Sequence, residues 1–170
     1  MRTAGSTISD ATAHGPPPEL RYLTAILDKP NHPSSATLID VWRAHEAHGG
    51  MRVGRDLPSR VLAPLLPRLA LLVPIEDWKD ARVRLVGTSL SVYLHGDLSG
   101  VLFNDLYGRI SDSRTLLLCA RRAQHAREPA ILDARVIAGR AEVMHCEIVM
   151  MSVLASDGQT TLSLVGSFRY

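Results

Sequence analysis

The stretch AILDARVIAGRAEVMHCEIVMMSVLASDGQTTLSLVGSFRY (residues 130–170) decides the fold. Apolar residues recur in it with a period near two over three segments, and Gly139-Arg140 and Asp157-Gly158 stand at the joints. Alternation of that kind, broken by glycine-bearing turns, predicts three antiparallel strands in a meander. One parity of the strands places Leu132, Ala134, Val136, Met144, Cys146, Ile148, Met150, Leu162, Leu164 and Phe168 inward, apolar apart from the thiol. The side of the middle strand away from the helices is expected to carry Glu142, His145 and Glu147 mixed with Val143, Val149 and Met151. That mixture is too apolar for a freely solvated sheet face, so an N-terminal helix or a second copy of the chain is expected to cover it.

Working backwards, SDSRTLLLCARRAQHAREP (111–129) is the most helical stretch, with Ser or Asp at its start and Pro129 at its end. At 100° per residue, Leu116, Cys119, Ala120 and Ala123 share the face that meets the sheet, and His125 points to water. Three small residues on the packing face mean either that helix and sheet approach closely or that a cavity remains between them. Before this helix, GVLFNDLYGRI (100–110) reads as a short helical turn. LALLVPIE and ARVRLVG read as two strands joined through DWKD. The connection LVGTSLSVYLHGDLSG (85–100) leaves the second strand at Gly87. Thr88 is able to cap the following turn, Leu90 and Leu94 face the sheet together, and Asp97 bonds the amides after it.

Further upstream, LPSRVLAPLLPRL (57–69) holds three prolines and permits only single helical turns. A helix with Ser34 or Ser35 as N-cap and Leu38, Trp42 and His45 on one face stops at Gly49-Gly50. Leu20, Leu23, Ile26 and Leu27 fall at helical spacing and predict a short amphipathic helix, ended by KPNHPSS. Residues 1–18, rich in Ser, Thr, Ala and Gly and closing on GPPP, predict a flexible tail. The organisation read from this is a tail with a short helix over 1–33 and one domain over 34–170. Its class is α+β, a five-stranded antiparallel sheet with short helices and one longer helix on one face, plus an N-terminal helical extension.

A chain of 170 residues, 46% hydrophobic, supplies one buried core. Its formal charge of +2 comes from seventeen arginines and two lysines scattered along the sequence, which disfavours nucleic acid as a partner. The longest apolar run, LALLVPI (69–75), is far short of a membrane span, and MRTAGSTISD has no apolar signal core, so the chain reads as cytosolic. Cys119 and Cys146 are too few for a disulfide framework and lack zinc-site spacing.

The order of two strands, short helices, a longer helix and a three-stranded meander resembles a PAS domain. A bacterial PAS subfamily long catalogued as a domain of unknown function is similar in detail. The matching residues are Trp42, Gly49-Gly50, Leu57-Pro58-Ser59-Arg60, Leu65-Leu66-Pro67, Arg84-Leu85, Gly87-Thr88 and Gly96-Asp97-Leu98-Ser99-Gly100. The resemblance runs from about residue 37 to about residue 165. Two departures stand out: a shorter segment between Arg60 and Pro64, and His95 where the subfamily often has glycine. The resemblance implies a cytosolic signalling or regulatory protein, not an enzyme, that dimerises and binds a protein partner. It also implies a place for a small apolar ligand between the long helix and the sheet. Candidate ligand-binding residues are Leu90, Leu94, Phe103, Leu106, Leu116, Cys119, Ala120, Ala123, Met144, Cys146, Ile148, Met150 and Leu164. The helix over 36–48, with Trp42, is the element that the resemblance places at the dimer contact.

Other chemistries fit less well. In HEAH (45–48) the histidines are three apart rather than four, and Gly49-Gly50 ends the helix at once. No cofactor or metal is expected. His125 faces away from the sheet, leaving only Cys119 or His145 as axial ligands for a haem-based sensor. NDLYGRISDSR lacks the cysteine that flavin-binding relatives carry before the long helix. A thiol-based redox sensor would need Cys119 and Cys146 within bonding distance. An enzyme using His95 or His145 as general base would need a polar cluster in the cavity, and the inward set contains none. Arg114, Arg121, Arg122 and Arg127 form the solvated face of the long helix or attract an anion.

Overall fold

Strand β5 (Ala141–Leu154) sits in the middle of the molecule because both of its faces are apolar over its second half. Val149, Met151 and Val153 point one way and Met150 the other, all fully or nearly fully buried. A strand loaded on both faces needs a covering layer on each side. The computed structural model of the chain describes residues 20–93, 96–107 and 113–170, and in it both layers are present. The expected tail over 1–18 lies outside the described residues, as do Leu94 and His95.

The elements run β1 (Leu20–Leu27), α1 (Pro33–Glu46), a 3-10 turn (Leu66–Arg68), β2 (Leu69–Ile75), β3 (Asp80–Val86), α2 (Thr88–Tyr93), α3 (Phe103–Tyr107), α4 (Ser113–Ala126), β4 (Ala130–Ala138), β5 and β6 (Thr161–Arg169). The class is α+β: among the described residues, one six-stranded antiparallel sheet of order β1-β4-β5-β6-β2-β3 with four helices. The meander β4-β5-β6 pairs as its alternation predicts, Leu132 opposite Ile148 and Met150 opposite Val165. Gly139 and Gly158 take positive φ at its two turns.

The sheet has six strands rather than five, because residues 20–27 form an edge strand and not the expected helix. β1 pairs with β4 from Leu20 opposite Ala138 to Leu27 opposite Ile131. Leu20, Leu23, Ile26 and Leu27 satisfy a helical template, but Tyr22, Thr24 and Ile26 are strand formers, and a short apolar run fits both periods. Pairing with a strand more than a hundred residues away decides between them.

Helix α1 covers one face of the sheet. Leu38, Ile39 and Trp42 pack into a cluster with Leu69, Leu71, Val149, Met151, Val153, Leu162, Leu164 and Phe168. Its cap is His32, whose Nδ1 accepts the Ser34 N–H at 3.1 Å, with Pro33 at the first helical position, so neither Ser34 nor Ser35 caps it as expected. The Trp42 indole N–H donates to the Ser152 carbonyl at 2.7 Å and pegs the helix to β5. Gly166 makes the contact possible: a Cβ there would stand 2.8 Å from Leu38 and 2.7 Å from the Phe168 ring. Leu162, Leu164 and Phe168 therefore lie under α1, a correction to the inward set. The apolar parity of β6 belongs to the α1 face, while Val165 and Ser167 face the other helices.

On the opposite face, α4 buries Leu116, Cys119, Ala120 and Ala123, the stripe read from the helical wheel, and Leu117 beside it. With Leu72, Trp78, Ala81, Val83, Leu98, Phe103, Leu132 and Met150, Leu116, Leu117, Cys119 and Ala120 form a second core cluster. The β2–β3 turn is fastened to α4 by Trp78, whose indole N–H donates to Gln124 Oε1 at 2.6 Å. Gly87 serves close packing rather than a sharp exit: a Cβ there would collide with the carbonyl oxygens of Leu66 and Pro67.

Candidate functional site

The described parts of the connection from β3 to α4, residues 88–93 and 96–107, border an apolar hollow against the sheet. Asp97 Oδ1 accepts the Ser99 N–H at 2.9 Å, the Asx turn expected of it. The chain then returns to the sheet: Gly100 N–H donates to the Val83 carbonyl at 2.7 Å and Val83 N–H to the Val101 carbonyl at 2.9 Å. This return places Leu98 and Phe103 over β3 and leaves a cavity of about 60 Å³ between α2, α3, α4 and the sheet.

Of the expected ligand-binding residues, Leu90, Phe103, Leu106, Leu116, Ile148 and Met150 line this cavity. Leu94 lies outside the described residues. Cys119, Ala120 and Ala123 are buried against the sheet but do not line the cavity, so their small volume serves close approach of α4. Cys146 is buried beside Ser167 and half-buried Met144 lies further along β5; neither borders the cavity. Leu164 is on the α1 side of the sheet. Residues that the sequence reading missed are Ala70, Leu72, Val83, Val86, Leu98, Val165 and Ser167. Ala70 and Leu72 on β2 are two apart in the sequence and were available as a signal; Val83 and Val86 are three apart across an irregular register, and the face of Val165 follows only from the pairing with Met150.

The lining is apolar apart from Ser167. At about 60 Å³ the space is several-fold below that of pockets for drug-sized ligands, ~300 Å³ and more. It fits a molecule of a few heavy atoms, and none of the described lining residues carries a titratable group.

The ionisable side chains of β4 and β5 gather on the other face, at the end that α1 leaves open. His145 Nε2 and Asp133 Oδ1 are 2.5 Å apart, Arg135 Nε donates to Asp133 Oδ2 at 3.0 Å, and the His145 and Tyr170 rings stand 4.3 Å apart. Burial pushes the Asp133 carboxyl up, but His145 and Arg135 outweigh it and hold it below the usual range. Tyr170 OH donates to Glu147 Oε2 at 2.9 Å. Glu147 lies on the face expected to be covered by an N-terminal helix or a second copy, and it is 0% exposed because it receives the N-terminus of α1. The N–H groups of Asn31 and His32 donate to its carboxylate at 2.8 and 3.2 Å. Burial alone would raise its pKa; the neighbouring Ser35 hydroxyl, the two amides and Tyr170 together lower it. Burial and the Glu147 carboxylate push the Tyr170 phenol up to about 12.

The remaining candidates are dispersed. His125 is exposed and 3.5 Å from Asp77. His45 Nδ1 lies 3.7 Å from Asp56, whereas His48 Nδ1 bonds the Ala44 carbonyl, so the HEAH histidines diverge. His145 and Cys119 are on opposite faces of the sheet. Burial raises the Cys146 thiol pKa, which keeps it in its unreactive protonated form. Arg121 pairs with Asp77 and Arg127 with Glu46. Among the described residues no group of three or more His, Cys, Asp and Glu side chains is placed to hold a metal ion. No described helix is long and apolar enough to cross a membrane. Comparison of the chain with family models, curated proteins and solved structures returns no match.

Proposed function

We propose that the chain is a PAS-like regulatory module in the cytosol that works by dimerisation and partner contact, biased by a small apolar ligand between α4 and the sheet. The observation that carries this reading is the cavity itself: its apolar walls come from four strands and from α2, α3 and α4, with Ser167 as the one polar residue among the described lining. Strands β2 to β6 with α2, α3 and α4 between β3 and β4 also follow the element order that the PAS resemblance implies. A lining of this kind suits binding rather than catalysis, since a general base needs a polar group within hydrogen-bond reach of its proton.

Methyl-labelled protein titrated with hydrocarbons and alcohols of one to four carbons tests the reading. The methyl signals of Ile148 and Met150 are expected to shift together with those of Val149 and Met151 on the far side of the sheet. If no compound moves the cavity signals at millimolar concentration, ligand sensing at this place is refuted.

A further inference from the structure

The two edges of the sheet are built differently. β3 alternates Asp80, Arg82 and Arg84 along its edge, Val83 bonds outward to Gly100 and Val101, and the Arg82 guanidinium donates to the Gly100 carbonyl at 2.7 Å. Charges and a covering segment are the usual means of blocking a sheet edge. β1, LRYLTAIL, has a single charged residue, Arg21, and among the described residues only β4 hydrogen-bonds to it. Its Leu23 is 55% exposed on the α1 face and its Ile26 61% exposed on the other.

We infer that β1 joins β1 of a second copy, antiparallel about a two-fold axis at Leu23, so that two six-stranded sheets become one. This deepens the dimerisation part of the proposed function and rests on that part alone. A two-fold axis normal to the sheet keeps side chains on their own faces, so paired residue numbers sum to an even value. Charge selects which. With Leu23 opposite Leu23, Arg21 of the partner subunit stands opposite Ala25, and Ala25 is itself opposite Asp133 on β4. Two strand spacings, about 10 Å between backbones, are within an arginine's reach over a side chain as small as alanine. Arg21 of the partner subunit then meets Asp133, beside Glu142 on the same open face, and the symmetry repeats the pair. Moving the axis to Thr24 would set Arg21 against Leu27 and Ile131 instead.

Sedimentation equilibrium on the full chain tests this. The wild type is expected to be a dimer, and Leu23→Lys with Ile26→Lys a monomer of unchanged circular dichroism. Arg21→Glu should weaken the dimer about tenfold through its two symmetric, half-exposed ion pairs, and less so at high salt. Leu23→Cys should cross-link on oxidation, since opposed residues lie about 5 Å apart, and Ile26→Cys should not. A dimer that survives Leu23→Lys with Ile26→Lys overturns this surface and leaves dimerisation standing. A wild type that stays monomeric at millimolar concentration overturns both, and neither result bears on the ligand titration.

Discussion

Replacing Glu147 by glutamine probes the junction on which α1 rests. The carboxylate is fully buried and accepts from the Asn31 and His32 amides and from Tyr170 OH, at the positive end of the α1 dipole. Glutamine keeps the shape and one acceptor oxygen. With the amide oxygen at the Oε2 position the Asn31 and Tyr170 bonds fall from charge-assisted to neutral strength, a loss of about 1 kcal/mol each, and the new NH2 at the Oε1 position faces the His32 N–H, whose bond is lost. The expected loss is about 2–3 kcal/mol at pH 7, or roughly 5–10 °C in Tm for a chain of this size. Glu147→Ala should lose more, about 3–5 kcal/mol. The pH dependence gives an independent check. A carboxyl whose folded pKa is lowered adds stability above its unfolded pKa of about 4.3, and that stability disappears as pH falls through the folded value. Urea unfolding of wild type and Glu147→Gln should therefore converge as pH falls below about 4.3 through the lowered folded value. A variant within ~0.5 kcal/mol of wild type at pH 7, or a difference that persists unchanged into acid, would refute the argument.

Met150→Ala removes a cavity wall and should destabilise by about 2–5 kcal/mol, while enlarging the hollow enough that benzene raises Tm in a thermal scan; wild type should not respond. Gly87→Ala drives a methyl group into the Leu66 and Pro67 carbonyls and should lose about 3 kcal/mol or more by urea unfolding, far beyond an ordinary loop substitution. Tyr170 should titrate near pH 12 by ultraviolet absorbance, and Tyr170→Phe should remove that late step. Because its pKa is raised, the stability it adds is full below about pH 10 and fades as pH rises towards 12.

The α4 face and the β4-β5-β6 meander were legible because each rests on a period within one segment: Leu116, Cys119, Ala120 and Ala123 at helical spacing, and alternation about Gly139 and Gly158. What was not legible depends on partners distant in the chain. Residues 20–27 carry a pattern that suits helix or strand, and β4 arbitrates. The side that Leu164 faces is ambiguous from polarity in a sheet with two apolar faces. Glu147 falls on a face expected to be covered, but nothing near it in sequence announces Asn31 or His32 as its partners. Six of the thirteen expected ligand-binding residues border the cavity; the wheel supplies only Leu116 among them, because the small side chains of Cys119, Ala120 and Ala123 bring α4 close instead of leaving space.

Consecutive residues of β5 press on different halves of the protein, Met150 on the cavity and Val149 and Met151 on the α1 core. At that point the molecule is a diaphragm one peptide thick. A guest that pushes Met150 outward by a fraction of an ångström displaces its two neighbours with it, and Trp42, pegged to the carbonyl of Ser152, has to travel as well. Transmission across the diaphragm needs no hinge and no moving loop, only a strand stiff enough to act as a plate.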